Sequence, residues 1–266
     1  MTGVQTCALP ICVPDENLTP IDAVKFAAAY GTWLKENLNK ANIKVVVGRD
    51  ARISGEMIQN LVQYTLVGLG INVVDIGLST TPTVEVAVTM EKADGGIILT
   101  ASHNPKQWNA LKLLNNKGEF LSAKEGERIL TIAQENKVVF ADVEDLGSIS
   151  HDNTYIQKHI EAVLGLLTSS TIEAIRNCKF KVVVDAVNST GGIAIPKLLE
   201  HFGVEVVRLY CEPNGHFPHN PEPLKEHLGD ICKKVLEEKA DFGIVVDPDV
   251  DRLELPRSEE RRVGKV

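Results

Sequence analysis

The sequence has 266 residues, of which 44% are hydrophobic and 24% charged, a balance that supports a packed core and excludes disordered and fibrous classes. Its formal charge is −8, from 28 Lys plus Arg against 36 Asp plus Glu, so it offers no broad basic face to hold a nucleic-acid backbone or an anionic membrane surface. No apolar run approaches the roughly 18 residues that a membrane span needs.

The five cysteines (Cys7, Cys12, Cys178, Cys211, Cys232) show no CxxC spacing and no nearby His pairs. Neither a zinc site nor a disulfide framework is indicated, and a reduced, cytoplasmic setting is expected. No charged-then-apolar leader opens the chain, so the usual mark of secretion is missing from it. Both ends read as foreign. Residues 2–11 (TGVQTCALPI) and 257–265 (RSEERRVGK) resemble translations of the ligation adapters used in short-read DNA sequencing. Residues 1–11 and 257–266 are therefore set aside, and Cys12 to Pro256 is read as the genuine chain, expected to continue past both joins.

Thr19-Pro20 places a hydroxyl N-cap before a proline at the first helical position. Ile21, Val24, Phe26, Ala27, Tyr30 and Leu34 follow at helical spacing, which predicts a helix ending near Asn39. Lys44 to Gly48 is a β-branched run closed by glycine, the pattern of a strand buried on both faces. Ser54 is read as the cap of a second helix, which Gly68 and Gly70 stop. A strand over 72–76, a helix over 83–91, strands over 95–100 and 111–114, and a helix over 123–134 complete the first half.

After Gly147-Ser148 the pattern restarts, with helices over 152–167 and 171–177, a strand over 181–185, a helix over 190–202, a strand over 205–209, a helix over 225–238 and a strand over 242–246. Strands interleaved with helices argue for parallel, helix-covered sheets, because each crossover needs a dozen or more residues. The expected fold is α/β: two consecutive units with mixed, mostly parallel sheets, covering 12–148 and 149–256.

Two segments carry chemistry. Leu99-Thr100-Ala101-Ser102-His103-Asn104-Pro105 follows a buried strand, at the sheet edge where open α/β folds bind ligands. Pro105 keeps Asn104 out of the helical region, so Ser102 becomes a candidate nucleophile or phosphate carrier. Polar loop filling is the plainer reading of the same residues. In Asp247-Pro248-Asp249-Val250-Asp251-Arg252, three carboxylates alternate just after a strand. Hard oxygen ligands crowded in this way suit Mg²⁺, and Arg252 is placed to hold an anion or anchor the loop. A solvated acidic turn is the alternative.

These residues resemble those of the α-D-phosphohexomutases, a family of phosphoglucomutases, phosphomannomutases and phosphoglucosamine mutases. Thr100 to Pro105 resembles the family's phosphoserine loop, and Asp247 to Arg252 its metal loop. Further matches are residues 48–55 (GRDARISG), 77–83 (GLSTTPT), 109–112 (NALK), 185–192 (DAVNSTGG) and 220–223 (NPEP), so the resemblance runs through nearly all of 12–256.

The resemblance implies that Ser102 carries the phosphoryl group and that Asp247, Asp249 and Asp251 bind Mg²⁺ together with an oxygen of that phosphate. It implies that Lys112 helps move a proton at the sugar hydroxyl, with His103 supporting the same loop. Arg49 and Arg52 would help hold the phosphoserine or its loop, and Asn104 and Arg252 would contact phosphate or substrate. The implied reaction exchanges hexose 1-phosphate and 6-phosphate, an isomerisation through a bisphosphosugar, with a hexose 1,6-bisphosphate as activator. The partner is a small phosphosugar, and no nucleic acid or membrane is implied. The wording around Ser102 favours glucosamine or mannose phosphate over glucose phosphate.

Pro248 stands where the family usually has glycine, and Ala110-Leu111 replaces its usual glycine and aromatic or β-branched pair. The family's opening segment and its third and fourth domains have no counterpart here, so the chain alone is expected to be inactive. Two other classes fit parts of the pattern. A Mg²⁺-dependent phosphatase would use an aspartate nucleophile in Asp247-Pro-Asp249, and a non-catalytic sugar-phosphate binding module would need no phosphoserine. Among single residues, Phe26, Tyr30 and Trp33 are read as core. Cys178, Cys211 and Cys232 are read as small apolar fillers, and His216 and His219 as exposed.

Overall fold

The computed structural model describes residues 9–10, 18–38, 40–135 and 137–257. Residues 1–8 and 258–266, where most of the foreign-end expectation falls, lie outside the described residues. The chain forms two units. The first takes residues up to Arg49, Ser54–Ala101 and Gln107–Tyr155; the second takes Asp50–Ile53, Ser102–Lys106 and the chain from Ile156 onward.

In the first unit the order is β1 (Leu9–Pro10), α1 (Pro20–Leu38), β2 (Lys44–Arg49), α2 (Gly55–Gly68), β3 (Asn72–Leu78), α3 (Thr81–Met90), β4 (Gly95–Leu99), β5 (Trp108–Asn109), β6 (Leu111–Leu114), α4 (Ala123–Glu135) and β7 (Ile149–His151). Five strands form one sheet in the order β6-β4-β2-β3-β7. All neighbours are parallel except β6, which runs antiparallel to β4 with Ile98 opposite Lys112. β1 pairs with β5 apart from this sheet, Leu9 opposite Asn109.

Strand alternation explains the two faces. Val45, Val47, Ile97 and Leu99 pack with α1, α2 and α4, while Val46 and Ile98 pack with α3 and Tyr155. Each fully buried Val or Ile contributes roughly 1.5–3 kcal/mol relative to exposure. Thr19 and Asp22 cap α1 reciprocally: Thr19 N and Oγ1 donate to Asp22 Oδ2, and Asp22 N donates to Thr19 Oγ1.

The expected cap at Ser54 does not form. Its backbone is helical and its side chain makes no cap bond; its hydroxyl instead accepts from Asn109 Nδ2 at 3.1 Å. The cap of α3 is Thr80, whose Oγ1 accepts from Thr83 N.

The second unit contains α5 (Tyr155–Gly165, entered from the first unit), α6 (Ser169–Cys178), β8 (Lys181–Asp185), α7 (Gly191–His201), β9 (Glu205–Leu209), α8 (Gly229–Glu237), β10 (Phe242–Val246) and β11 (Leu253–Glu254). Its sheet runs β11-β10-β8-β9, parallel except for β11. Val182 and Val184 pack with Phe202 and Val204 on one face, and Val183 and Val245 pack with Ile231 and Val235 on the other.

Two helices differ from expectation. α5 starts at Tyr155 rather than Asp152, because the Asp152 carboxylate takes the Thr154 amide and hydroxyl in a local turn. The helix predicted over 225–238 is a 3-10 turn, Lys225–His227, followed by α8. The architecture is α/β with two mixed, mostly parallel sheets, and among the described residues no helix is long and apolar enough to cross a membrane.

Candidate functional site

The loop that follows β4 belongs to the second unit, together with residues 50–53. One side chain accounts for much of its shape. Arg52 is buried, its Nε donates to Asp50 Oδ2 at 2.9 Å, and both side chains have no exposure. Its Nη1 donates to Pro105 O at 2.6 Å, while Nη2 donates to Ser102 O at 2.6 Å and to Asn104 O at 2.8 Å. Its guanidinium also lies 5.2 Å from the Phe217 ring centroid. A planar fork of fixed donors can serve several carbonyls of one loop, which an ammonium cannot. The Ser102 backbone is left-handed, with φ 49°, and the three carbonyl bonds offset the cost of that conformation.

The second loop leaves the C-terminal end of β10. Asp247 and Asp249 are fully buried. Asp251 is exposed, and one oxygen from each of these three residues lies within 4.8 Å of the others. Asp247 organises the turn: its Oδ1 accepts the amides of Asp251 and Arg252, each at 3.1 Å. Its Oδ2 accepts Ser102 Oγ at 2.9 Å, and Ser102 Oγ also lies 3.4 Å from Asp251 Oδ1. Burial, then the neighbouring Asp249 and Asp251 charges, push the Asp247 carboxyl up to about 9, against the lowering effect of the Ser102 bond. Val250 is held left-handed at φ 64°, an uncommon state for a β-branched residue.

Around this pair, His103 Nδ1 is 3.4 Å from Ser102 Oγ and Nε2 is 4.0 Å from Glu222 Oε1. Burial, then the Arg252 charge, lowers the His103 value despite Glu222, Asp251 and Asp249, which favours the neutral imidazole. Arg252 Nη1 donates to Glu222 Oε1 at 3.0 Å. Glu222 lies in the 220–223 run, which by itself gives it no role; the 211–224 loop places it between His103 and Arg252. That loop is fastened by His219, whose Nε2 meets Asp185 Oδ2 at 2.9 Å. The expectation that His219 is exposed is therefore corrected, since its side chain is 16% exposed, whereas His216 is exposed.

The second unit thus brings together Ser102, His103, Asn104, Arg52, Asp247, Asp249, Asp251 and Arg252. Arg49 and Lys112 belong to the first unit. Arg49 ends β2, and its Nε donates to Gln59 Oε1 at 2.8 Å. Lys112 lies on β6 with Nζ 5.8 Å from the Phe120 ring centroid. Cys178 is exposed, contrary to the apolar-filler reading, while burial pushes the Cys211 thiol up to about 11.

The two units are matched separately by family models. Residues 12–139 match "Phosphoglucomutase/phosphomannomutase, alpha/beta/alpha domain I", and residues 155–256 match the corresponding domain II. The chain belongs to the phosphoglucomutase/phosphomannomutase family. A phosphoglucomutase/phosphomannomutase of Thermococcus kodakarensis is 36% identical over 241 residues, covering 90% of this chain and 52% of that protein. A "probable phosphoglucosamine mutase" of Pyrococcus abyssi is 34% identical over 241 residues, covering 91% of this chain and 50% of that protein. The chain thus spans about half the length of these curated relatives. A crystal structure of a phosphoglucomutase/phosphomannomutase family protein from Burkholderia thailandensis superimposes with a TM-score of 0.78 at 24% identity, covering 95% of this chain and 54% of that one, a likeness of fold.

The acidic loop and the serine loop meet here in a donor set that could hold a hard cation. All three side chains offer carboxylate oxygens and two of them are buried, and burial first, then the neighbouring carboxylates, raises the Asp247 value. A divalent ion held there would offset the charge of these carboxylates.

Proposed function

We propose that this chain is part of a phosphohexomutase that interconverts hexose 1-phosphate and 6-phosphate, with Ser102 as the phosphoryl carrier. The observation that carries the reading is the Ser102 hydroxyl 2.9 Å from Asp247 Oδ2, beside two further carboxylates. A phosphate placed there would face three crowded carboxyl groups, which could ionise together beside it only with a cation among them. In this reading Asp247, Asp249 and Asp251 hold Mg²⁺. The ion's contribution when bound is to neutralise charge on the transferring phosphoryl group.

The remaining chemistry belongs to the protein. The Ser102 Oγ–P bond breaks as a sugar hydroxyl oxygen bonds to phosphorus, and the hydroxyl proton ends on the released serine oxygen, giving a bisphosphosugar and a free serine. The O–P bond of the sugar's other phosphate then breaks as Ser102 Oγ takes that phosphoryl group, and the serine proton ends on the freed sugar oxygen. Arg52 holds the serine loop through its carbonyls, His103 stays beside Oγ, and Arg252 is anchored by Glu222. Asn104 and Arg252 are assigned to phosphate or substrate contact, with Arg49 and Lys112 assigned to the phosphate and to the proton at the sugar hydroxyl. Glucosamine or mannose phosphate is the favoured substrate, a hexose 1,6-bisphosphate the activator, and the cytoplasm the setting. Because the chain spans about half of the length of its relatives, turnover is assigned to the whole protein.

Intact mass and phosphosite mapping before and after incubation with a hexose 1,6-bisphosphate and Mg²⁺ test this. The expected result is one phosphate on Ser102 that is lost in Ser102→Ala. An unmodified Ser102 in a protein that binds Mg²⁺ normally would overturn it in favour of a binding module, and a phosphoaspartate at Asp247 would indicate a phosphatase.

A further inference from the structure

The backbone of the acidic loop is fastened at one carbonyl. Pro248 O accepts Ser189 Oγ at 2.7 Å and Thr190 Oγ1 at 2.9 Å, so both of its lone-pair directions are taken. Ser189 Oγ in turn accepts the Ala51 amide at 3.3 Å. Ser189 and Thr190 are fully buried. Ala51 lies between Asp50 and Arg52, the ion pair that holds the Ser102 loop. One run of hydrogen bonds therefore joins the segment bearing Arg52 to the peptide between Pro248 and Asp249.

Three features make that carbonyl decisive. Proline has no N–H, so the carbonyl is the only polar backbone group by which residue 248 can be held. The direction of the Pro248 carbonyl fixes the plane of the peptide leading into Asp249, whose side chain is buried. The next residue, Val250, sits at φ 64°, and the loop that supplies the two hydroxyls is itself held with Val187 at φ 48° and Asn188 at φ 54°. Such conformations in non-glycine residues persist only where surrounding bonds over-determine them, and they cluster at functional sites.

We propose that Ser189 and Thr190 are positioning residues for the divalent cation: their hydroxyls set Asp249 through the Pro248 carbonyl and tie the acidic loop to the segment that holds Ser102. This rests on reading Asp247, Asp249 and Asp251 as the metal ligands. Partners one step removed from a metal ligand commonly govern affinity in this way, because a ligand that is free to swing must be ordered at the moment of binding.

Calorimetric titration of Mg²⁺ into the 266-residue chain and its Ser189→Ala, Thr190→Val and Thr190→Ser variants tests the proposal. Ser189→Ala and Thr190→Val are expected to bind about 10–100-fold more weakly, and Thr190→Ser within about twofold of the parent. Melting curves in EDTA and in Mg²⁺ supply a readout that a merely structural role would not move: the gap between parent and variant should widen when Mg²⁺ is present. If Ser189→Ala does not fold, the isosteric Thr190→Val and its hydroxyl-bearing counterpart Thr190→Ser decide. Folded variants that bind Mg²⁺ as tightly as the parent would overturn the proposal while leaving the metal reading intact. A parent chain that binds no Mg²⁺ would instead remove the metal reading, and the proposal with it.

Discussion

Ser102 Oγ donates to Asp247 Oδ2 at 2.9 Å, joining a hydroxyl to a carboxyl that burial and two neighbouring aspartates push up to about 9. The two residues stand 145 positions apart in sequence, at the ends of strands from two different sheets. Ser102 and Asp247 both belong to the second unit, although β4, which precedes the serine loop in sequence, belongs to the first.

Asp247→Asn should stabilise the metal-free protein. With its folded value about 9 and its ordinary value 3.8, Asp247 holds a proton more tightly folded than unfolded between those limits. Metal-free stability therefore falls as pH rises across that window. An amide cannot ionise, so in EDTA near pH 8 the variant should melt higher than the parent and vary less with pH. Added Mg²⁺ should reverse the order, since a ligand at 100 times its Kd stabilises by about 2.7 kcal/mol. Parallel melts of the two proteins in EDTA and in Mg²⁺ check this, and an unchanged order in Mg²⁺ would remove Asp247 from the ligand set.

Arg52→Met should destabilise the fold by about 3–5 kcal/mol, because it strands the buried Asp50 carboxylate. Asp50→Asn in the same chain should recover part of that loss. Neither the single Arg52→Met variant nor the double variant should carry phosphate on Ser102, because both lack the guanidinium that bonds the carbonyls of Ser102, Asn104 and Pro105. Urea denaturation and phosphosite mapping separate the two effects; a double variant that folds and is phosphorylated normally would show that Arg52 acts through stability alone.

Much of this was legible in the chain. The strands over 111–114, 181–185, 205–209 and 242–246 coincide with β6, β8, β9 and β10, because buried β-branched or leucine runs bounded by turn residues leave little choice of structure. Short edge strands were not legible. Ile149–His151 and Leu253–Glu254 become strands only because β3 and β10 offer unpaired edges, a fact that local pattern does not contain. Ser54 has the composition of a cap, but tertiary contact with Asn109 claims its hydroxyl. At the site, the acidic loop and the serine loop announce themselves by residue type. Ser189 and Glu222 fall inside the matched runs 185–192 and 220–223, but those runs do not name their partners, which for Glu222, Ser189 and His219 alike lie far away in sequence.

His219→Gln should cost about 1–3 kcal/mol at low pH, through loss of a charged hydrogen bond to the buried Asp185. Burial alone would lower the His219 value, but the bond and charge of Asp185, the Asn220 carbonyl and the Asp230 charge raise it on balance, with Tyr210 packed edge-on against the ring. A raised histidine contributes stability that is complete below its unfolded value of 6.5 and is lost as pH rises through the folded value. The gap between parent and variant should therefore narrow from pH 6 to pH 9 in urea titrations. A gap that stays constant would mean the imidazolium form contributes nothing.

Tyr30 and Gly95 form a coupled pair at the centre of the first unit. Tyr30 is fully buried on α1, and its hydroxyl donates to Leu114 O at 2.7 Å. It crosses β4 at Gly95, where an added Cβ would meet that hydroxyl oxygen at 2.0 Å and the Leu114 carbonyl at 3.0 Å. Tyr30→Phe leaves the Leu114 carbonyl without that donor and should cost about 1–3 kcal/mol. Gly95→Ala forces the ring out of place and should cost a similar 1–3 kcal/mol from overpacking. The two costs should not add, because removing the hydroxyl removes the first clash, although the ring carbon Cζ remains 3.1 Å from the added Cβ. A double-mutant cycle by urea denaturation is expected to show the pair less destabilised than the sum of the singles, by more than the roughly 0.5 kcal/mol scatter of independent sites. Strict additivity would mean that α1 shifts on β4 to absorb the methyl group, and the close approach of Tyr30 would then not be what requires glycine at position 95.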